Sequence, residues 1–445
     1  MAGLEVELQA AGGATSVAVA NHGASTAKPE VAVLRLDHVA SRLVEHGWQS
    51  WSTVRRATPD DLRPERAGAP RWFRGEMLAA PDLAGRRVVA DQLLVTDAGQ
   101  LGIANPSGPP VAFHLDVDGH AVATVLLEGF RLEPGERLEV GDLRGDDLHD
   151  VAAVSGARHG GPSRLGWCSW YHYFDAVTPE VVRANAALAG HHGLDLVQID
   201  DGWQREVGTW NAQSSAFGVD IGTLASEITD AGMEAGLWTA PFIAIAGGEL
   251  ASAHPDWLVT APHGHPRTAM HHGGWGGELG RVYALDTTNP EVLEHLRDTY
   301  AGLRAKGFTY FKVDFLFAAA IQGRRQGGDR ILRTQALRSG LEAVREGIGD
   351  DAYLLGCGSP LVPAVGIVDA MRVSEDVAPH WEPRIFAPGF PESTVATRNA
   401  IEQSALRAPL HRRWWQNDPD CLLLRPSETE LSAHERRVLT EAVLG

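Results

Sequence analysis

Residues 309–317 read TYFKVDFLF, and residues 194–200 read LDLVQID. The first carries Lys312 and Asp314, the second ends in Asp200, and each is a short, mostly apolar run with the length of a buried strand. Further runs of the same kind are 165–171 (LGWCSWY), 234–240 (EAGLWTA), 353–357 (YLLGC), 370–374 (AMRVS) and 414–417 (WWQN). Between them lie helix patterns. Asn289-Pro290-Glu291 supplies an N-cap, a first-turn proline and a first-turn acid; Leu293, Leu296, Tyr300 and Leu303 follow at helical spacing, and Gly307 stops the helix. Thr178-Pro179-Glu180 opens another helix, and Leu337, Leu341, Val344 and Ile348 mark a third. Strands that alternate with helices require parallel pairing. Seven such units in about 280 residues fit a TIM-type α/β barrel, a fold of about 250 residues. Residues 165–445 are assigned to it.

Upstream the pattern changes to period two. Val111, Phe113, Leu115 and Val117 alternate with His114, Asp116 and Asp118, and Asp118-Gly119 is a turn signal. Residues 31–36 and 121–127 are further strand candidates, and Pro134-Gly135 punctuates Leu132 and Leu138. Residues 1–155 are expected to form an all-β sandwich, with 156–164 as a linker.

Composition sets the outer bounds. The chain has 445 residues, 44% hydrophobic and 22% charged, which is ordinary globular composition. A formal net charge of −18 repels phosphate, so nucleic-acid and anionic-membrane binding are not expected. The cysteines Cys168, Cys357 and Cys421 make no disulfide framework, and a cytoplasmic location is expected. No GxGxxG or P-loop follows any strand. Thirteen tryptophans against six tyrosines is an unusual balance; flat rings beside Gly, Asp and Ser fill a core or face the C–H surface of a sugar.

In such barrels the chemistry sits at the C-terminal ends of the strands. Asp200 and Asp201, Trp238, Lys312 and Asp314, Cys357, and Arg372 through Asp376 all fall there. Lys312 and Asp314, two apart, share a face. Paired, both charges are tolerated among Phe311, Phe315 and Phe317, and the cation is expected to keep Asp314 ionised. That suits a nucleophile; the alternative is an ion pair that packs the barrel. Asp376 precedes Val377, Ala378 and Pro379, an apolar setting expected to raise its pKa as a general acid requires; the alternative is a turn-capping aspartate. Two carboxyls tuned apart at one rim suggest work on a glycosidic bond. Asp200-Asp201-Gly202 is either a turn or a pair of hydroxyl acceptors. The histidines at 254, 263, 265, 271 and 272 lack ligand spacing, so no metal and no cofactor is expected. The segment 241–288 shows no clear periodicity and is read as a cover over the site.

The blocks GWCSWYHYF (166–174), QIDDGWQ (198–204), GLWTAPF (236–242), YFKVDFLFAAA (310–320), LLGCGSPLVPAVGIVDAMRVSEDVAP (354–379) and NDPDCLLLR (417–425) resemble α-galactosidases of glycoside hydrolase family thirty-six, closest to the short bacterial form. GWQSWS (47–52) is similar to that family as well. The resemblance implies a β-sandwich, a catalytic barrel and a small carboxy-terminal β-domain. It implies a retaining hydrolase of terminal α-galactosides such as melibiose or raffinose-type sugars. By motif position it gives the nucleophile to Asp314 and the acid/base to Asp376. Galactose contacts fall on Trp170, Asp200, Asp201, Trp238, Lys312, Cys357, Asp369 and Arg372, with Trp48 or Trp51 reaching in from the sandwich. The alternatives are an α-N-acetylgalactosaminidase or α-galactosyl transferase of the same family, or a galactoside-binding protein without turnover. Against the family pattern the chain stops after the seventh strand and its helix, opened by the capping box Ser432/Glu435. A barrel lacking its eighth strand, and a longer parent protein, are expected.

Overall fold

The computed structural model describes residues 3–11, 14–52, 54–59, 90–91, 93–145, 152, 155–158, 161–383 and 395–444. Seven parallel strands form one sheet in chain order: Gly166–Cys168, Leu196–Ile199, Glu234–Thr239, Tyr310–Val313, Tyr353–Gly356, Ala370–Arg372 and Gln416–Asp418. They are the first to seventh strands below. Leu196, Tyr310, Tyr353, Leu355 and Ala370 pack together as a buried cluster, as side chains do inside a curled sheet. Among the described residues the first strand pairs only with the second and the seventh only with the sixth. The two edges are joined by side chains instead. Gln416 donates its amide N–H to Ser163 Oγ at 2.5 Å, and the Tyr171 hydroxyl donates to Asp420.

The helices begin where their caps demand. Thr178 accepts the Val181 N–H at the head of Pro179–His191, and Asn289 accepts the Glu291 N–H at the head of Pro290–Ala305. Ser432 and Glu435 exchange hydrogen bonds at the start of Ala433–Leu444, and that helix buries Leu439 against Val377, Ala400, Leu423 and Leu431.

Two strands fall furthest short of the sequence reading. The first strand stops at Cys168, and Trp170 and Tyr171 begin a short helix, Trp170–Tyr173. The fourth stops at Val313, because Phe315 turns left-handed (φ 54°) and opens a 3₁₀ turn over Leu316–Ala320. The segment expected to lack strands holds three, Ile243–Ile245, Thr268–His271 and Arg281–Ala284, in one antiparallel sheet. Three or four residues between glycines are too few to show a period.

The amino-terminal region is two antiparallel sheets. One runs Leu4–Ala11, Ala14–Asn21, Arg137–Gly145, Gly99–Ala104, Leu93–Thr96, Leu43–Glu45 and Arg55–Ala57; the other Val31–Val39, His120–Leu126, Val111–Leu115 and Ala90–Asp91. Val17, Leu36, Phe113, Leu115, Val125 and Val140 share their core. The alternation expected across Val111–Leu115 fails, since all five residues, His114 included, are buried. Leu93, Ala104 and Ala112 belong to the same apolar cluster as the barrel, so the second face of these strands is covered. Residues 159 and 160 of the expected linker lie outside the described residues. Within its described part, Arg158 is tied to Asp350 and Asp369.

One side chain fastens the two units at the rim. Arg407, on helix Thr397–Arg407, is wholly buried, and its guanidinium donates to the carbonyls of His46, Gln49, Ser50, Ser52 and Val373. Four of those carbonyls belong to the loop that carries Trp48 and Trp51. Buried carbonyls without a donor are costly. Arg407→Leu is therefore expected to lower the unfolding free energy by about 3 kcal/mol or more. A urea midpoint within error of the wild type refutes this.

Candidate active site

The second strand delivers Asp200 and Asp201 into the sheet's C-terminal rim. Gly202 follows at φ 116°, where a Cβ would stand 2.8 Å from the Asp175 carbonyl, so glycine alone allows this turn. Asp200 is buried and already held by several donors. It accepts from Lys312 Nζ at 3.0 Å, from the Gln198 amide at 2.5 Å and from the Asp201 N–H at 3.0 Å, with the Cys168 thiol at 3.4 Å. Asp201 accepts from the indole N–H of Trp275 at 2.7 Å and from the Gln204 amide at 2.5 Å. Burial raises its pKa against those donors.

Lys312 is buried on the fourth strand, on the same side as Asp314, as its spacing predicts. Its ion-pair partner is different from the expected one: the ammonium contacts Asp200, across the third strand. Burial works against its charge, yet Asp200 and then Asp314 with the nearby thiols hold Lys312 protonated. Asp314 accepts instead from the Trp238 indole N–H at 3.0 Å on Oδ2 and from the Phe315 N–H at 2.8 Å on Oδ1. Burial outweighs Lys312 and these donors, so the carboxyl of the unliganded site sits above the ordinary aspartate range. The expected lowering is overturned by desolvation.

Arg372, 1% exposed at the end of the sixth strand, places one guanidinium nitrogen, Nη2, 2.7 Å from Asp376 Oδ1 and 2.8 Å from Asp420 Oδ2. Asp376 lacks the buried setting expected of it: its side chain is 38% exposed and ion-paired. The apolar residues after it bury themselves away from the carboxyl, in a cluster with Leu423 and Leu439. The buried acid at this corner is Glu375, which burial raises to about 8.

Cys357 links the two halves. Burial, and then the field of Asp314, raise its thiol; Arg372, Lys312 and Asp376 act on it too. Both candidate catalytic carboxyls and both cations therefore act on one sulfur. The wall on this side comes from the sandwich. The Trp51 indole N–H reaches Cys357 Sγ at 3.2 Å, and its ring meets Phe315 edge-on at 5.2 Å. Trp48 is not part of this wall: it is buried in the core with Arg333 over its ring. Trp238 stands between Trp210 and Trp275, at 5.6 and 6.3 Å between ring centres. Trp170, partly exposed beyond the first strand, packs edge-on against Phe174 at 5.1 Å.

Asp369 does not join the group. It precedes the sixth strand, at the opposite end of the sheet from the rim, and its carboxylate is taken by Arg158 at 2.9 Å, Arg345 at 2.6 Å and the Leu354 N–H at 2.8 Å. This is a structural ion-pair knot, not a sugar acceptor. Three site residues escaped the sequence reading. Trp275 lies in the glycine-rich part of the expected cover, and Asp420 in the NDPD block. Tyr171, which bonds to Asp420, follows Trp170 directly. Each signal was present without a partner to interpret it. Among the described residues no group of three or more His, Cys, Asp or Glu side chains is placed to hold a metal ion. None of the described helices is long and apolar enough to cross a membrane.

The model of the melibiase family matches residues 166–325, which carry the first four strands, Asp200, Asp201, Trp238, Lys312 and Asp314. The chain is 28% identical over 150 residues to the α-galactosidase AgaA of Geobacillus stearothermophilus, a stretch that covers 32% of this chain and 19% of that protein. It is 23% identical over 136 residues to an α-galactosidase of Escherichia coli, covering 29% and 18%. The matched stretches thus span about a fifth of these curated relatives. Among solved structures, the α-galactosidase TtGalA of Thermus thermophilus, in complex with stachyose, aligns over 98% of this chain and 93% of its own at 26% identity, with a TM-score of 0.76. The family thirty-six α-galactosidase AgaA shares the fold at 15% identity and a TM-score of 0.60, over 97% of this chain and 65% of its own. Motif blocks, matched domain and structural likeness agree: residues 166–325 match the melibiase family, and the chain as a whole is similar to the family thirty-six α-galactosidases.

Proposed function

We propose that this chain is a retaining α-galactosidase that removes terminal α-linked galactose from oligosaccharides, with Asp314 as nucleophile and Asp376 as acid/base. The observation that carries the reading is that Asp314, held by the Trp238 indole N–H, and Asp376, held by Arg372, follow the fourth and sixth strands of one sheet at its C-terminal rim, and both act on the Cys357 thiol. The neighbour TtGalA was solved with stachyose and with p-nitrophenyl α-galactoside, which supports the substrate class.

Asp314 attacks the anomeric carbon as the glycosidic C–O bond breaks, and Asp376 gives its proton to the departing oxygen. Arg372 engages Oδ1 of Asp376, which leaves Oδ2 to carry that proton. Trp238 holds Asp314 Oδ2 by its N–H and fixes the angle of attack. Water then gives a proton to Asp376 and its oxygen to the anomeric carbon, the Asp314 ester bond breaks, and α-galactose leaves. Asp200 and Asp201 offer acceptors to sugar hydroxyls, and Lys312 offers a donor. Trp51, Trp238 and Trp275 form apolar walls suited to the C–H face of the ring. Hydrolysis of p-nitrophenyl α-galactoside, with no turnover of the N-acetylgalactosamine analogue, tests the reading against its closest alternative.

Asp314→Gly should lose at least about three powers of ten in turnover. Azide should restore part of it and give β-galactosyl azide, because the small anion enters from the vacated face. Substantial turnover by the variant without azide removes Asp314 from this role. Retention is read by proton NMR of the first-formed sugar: α-galactose is expected from an α-substrate, and an initial β-anomer overturns the double-displacement scheme.

The third expectation concerns pH. A nucleophile must be ionised, and burial raises Asp314. Activity is lost as pH falls through that raised value. The acid limb of kcat/KM should therefore lie above the ordinary aspartate range of about 3.9. A profile still flat at pH 4 contradicts this.

A further inference from the structure

We infer that Asp420 is a positioning residue for the acid/base carboxyl, holding Asp376 from two sides through Arg372 and through the backbone. The inference rests on the assignment of Asp376 above and adds a residue to that site. Asp420 Oδ2 lies 2.8 Å from Arg372 Nη2, and the same nitrogen lies 2.7 Å from Asp376 Oδ1. Asp420 Oδ2 also accepts the Val377 N–H at 2.8 Å, the peptide directly after Asp376. The side chain of Asp376 and its following peptide are thus both referred to one carboxylate. The Tyr171 hydroxyl donates to the same oxygen from beyond the first strand, so Asp420 also ties the seventh-strand side of the rim to the first.

The backbone at Asp420 is left-handed, with φ 79°, a conformation that non-glycine residues adopt only when the surroundings impose it. Its carboxyl is almost fully buried. Two carboxylates share one guanidinium that no solvent reaches. Asp420 competes with Asp376 for that cation and sets a second carboxyl beside it, so Asp376 does not have the guanidinium to itself. The groups that face Asp420 are Arg372 at the end of the sixth strand and Asp376 after it, Tyr171 from the helix after the first, and Asp418 and Cys421 beside it. Burial raises Asp420 to about 6 against the pull of Arg372 and the Tyr171 donor, and the neighbouring charges of Asp376 and Asp418 add to the rise.

The test measures kcat/KM against pH for Asp420→Asn with two substrates. One is melibiose, whose sugar leaving group needs protonation. The other is 2,4-dinitrophenyl α-galactoside, whose leaving group needs little. Without the Asp420 charge, Asp376 loses its proton at lower pH. The alkaline limb on melibiose should then move down by at least about half a pH unit. Turnover of melibiose at neutral pH should fall more than about tenfold, and that of the dinitrophenyl substrate less than about threefold. Tyr171→Phe keeps the carboxyl but removes a donor to its anion. It should move the limb the same way by less, and it serves if the asparagine variant does not fold. An unmoved limb in both variants, or equal losses on the two substrates, overturns the inference while leaving the hydrolase reading intact. A wild-type enzyme that cleaves neither substrate overturns both.

Discussion

The ammonium of Lys312, buried 3.0 Å from Asp200, is the contact around which the rim is arranged. It joins the second strand to the fourth across the third. A buried cation needs a carboxylate, and a buried carboxylate needs donors. Gln198, Cys168 and the Asp201 N–H supply those for Asp200. The pair leaves Asp314 close enough to feel Lys312 but bonded to Trp238. Arg372 does the equivalent work for Asp376 and Asp420. Two cations thus serve five carboxyls, Asp200, Asp201, Asp314, Asp376 and Asp420. The deficit explains why burial raises Asp201, Asp314 and Asp420 together. A ligand rich in hydroxyl donors relieves such a deficit without bringing in charge, which is what a hexose offers.

Much of this was legible from one dimension. Strand and helix periods marked the parallel units, caps marked the helix starts, and strand-end carboxylates marked the rim. The same-face placement of Lys312 and Asp314 follows from a period of two. What failed was partner choice. Asp200 is 112 positions from Lys312, and no local spacing distinguishes it from Asp314 as the ion-pair partner. Burial failed in a similar way at Asp376. Val377 and Ala378 are indeed buried, but the chain bends at Ser374 and Glu375, so that the Asp376 carboxyl meets Arg372 and solvent while Glu375 is the buried acid. Asp369 shows a third limit. Which end of a strand a residue occupies depends on where the strand starts, and boundaries are the least certain feature of any periodic reading. The histidines of 241–288 were no guide to the site; Trp275 folds back onto Asp201 beside Gly276 and Gly277, both at positive φ.

The sandwich is best understood through Gly358. This residue has φ 60°, and a Cβ there would stand 2.9 Å from the Trp51 ring. The benzo ring of the indole therefore packs close against Gly358, with its N–H on the Cys357 sulfur. A thiol kept neutral by burial can accept that bond weakly and still stand between Asp314 and Arg372 without adding a sixth charge. Trp51 holds this position because Arg407 anchors the carbonyls on both sides of it, at Ser50 and Ser52. The barrel strands supply the charges, and the sandwich loop supplies the apolar wall beside them. Removing water from that wall strengthens every charge interaction in the pocket. The two units are thus coupled through the dielectric of the site as well as through their packing, and the loop at Gly47–Ser52 is part of the active-site chemistry although it bears no catalytic group.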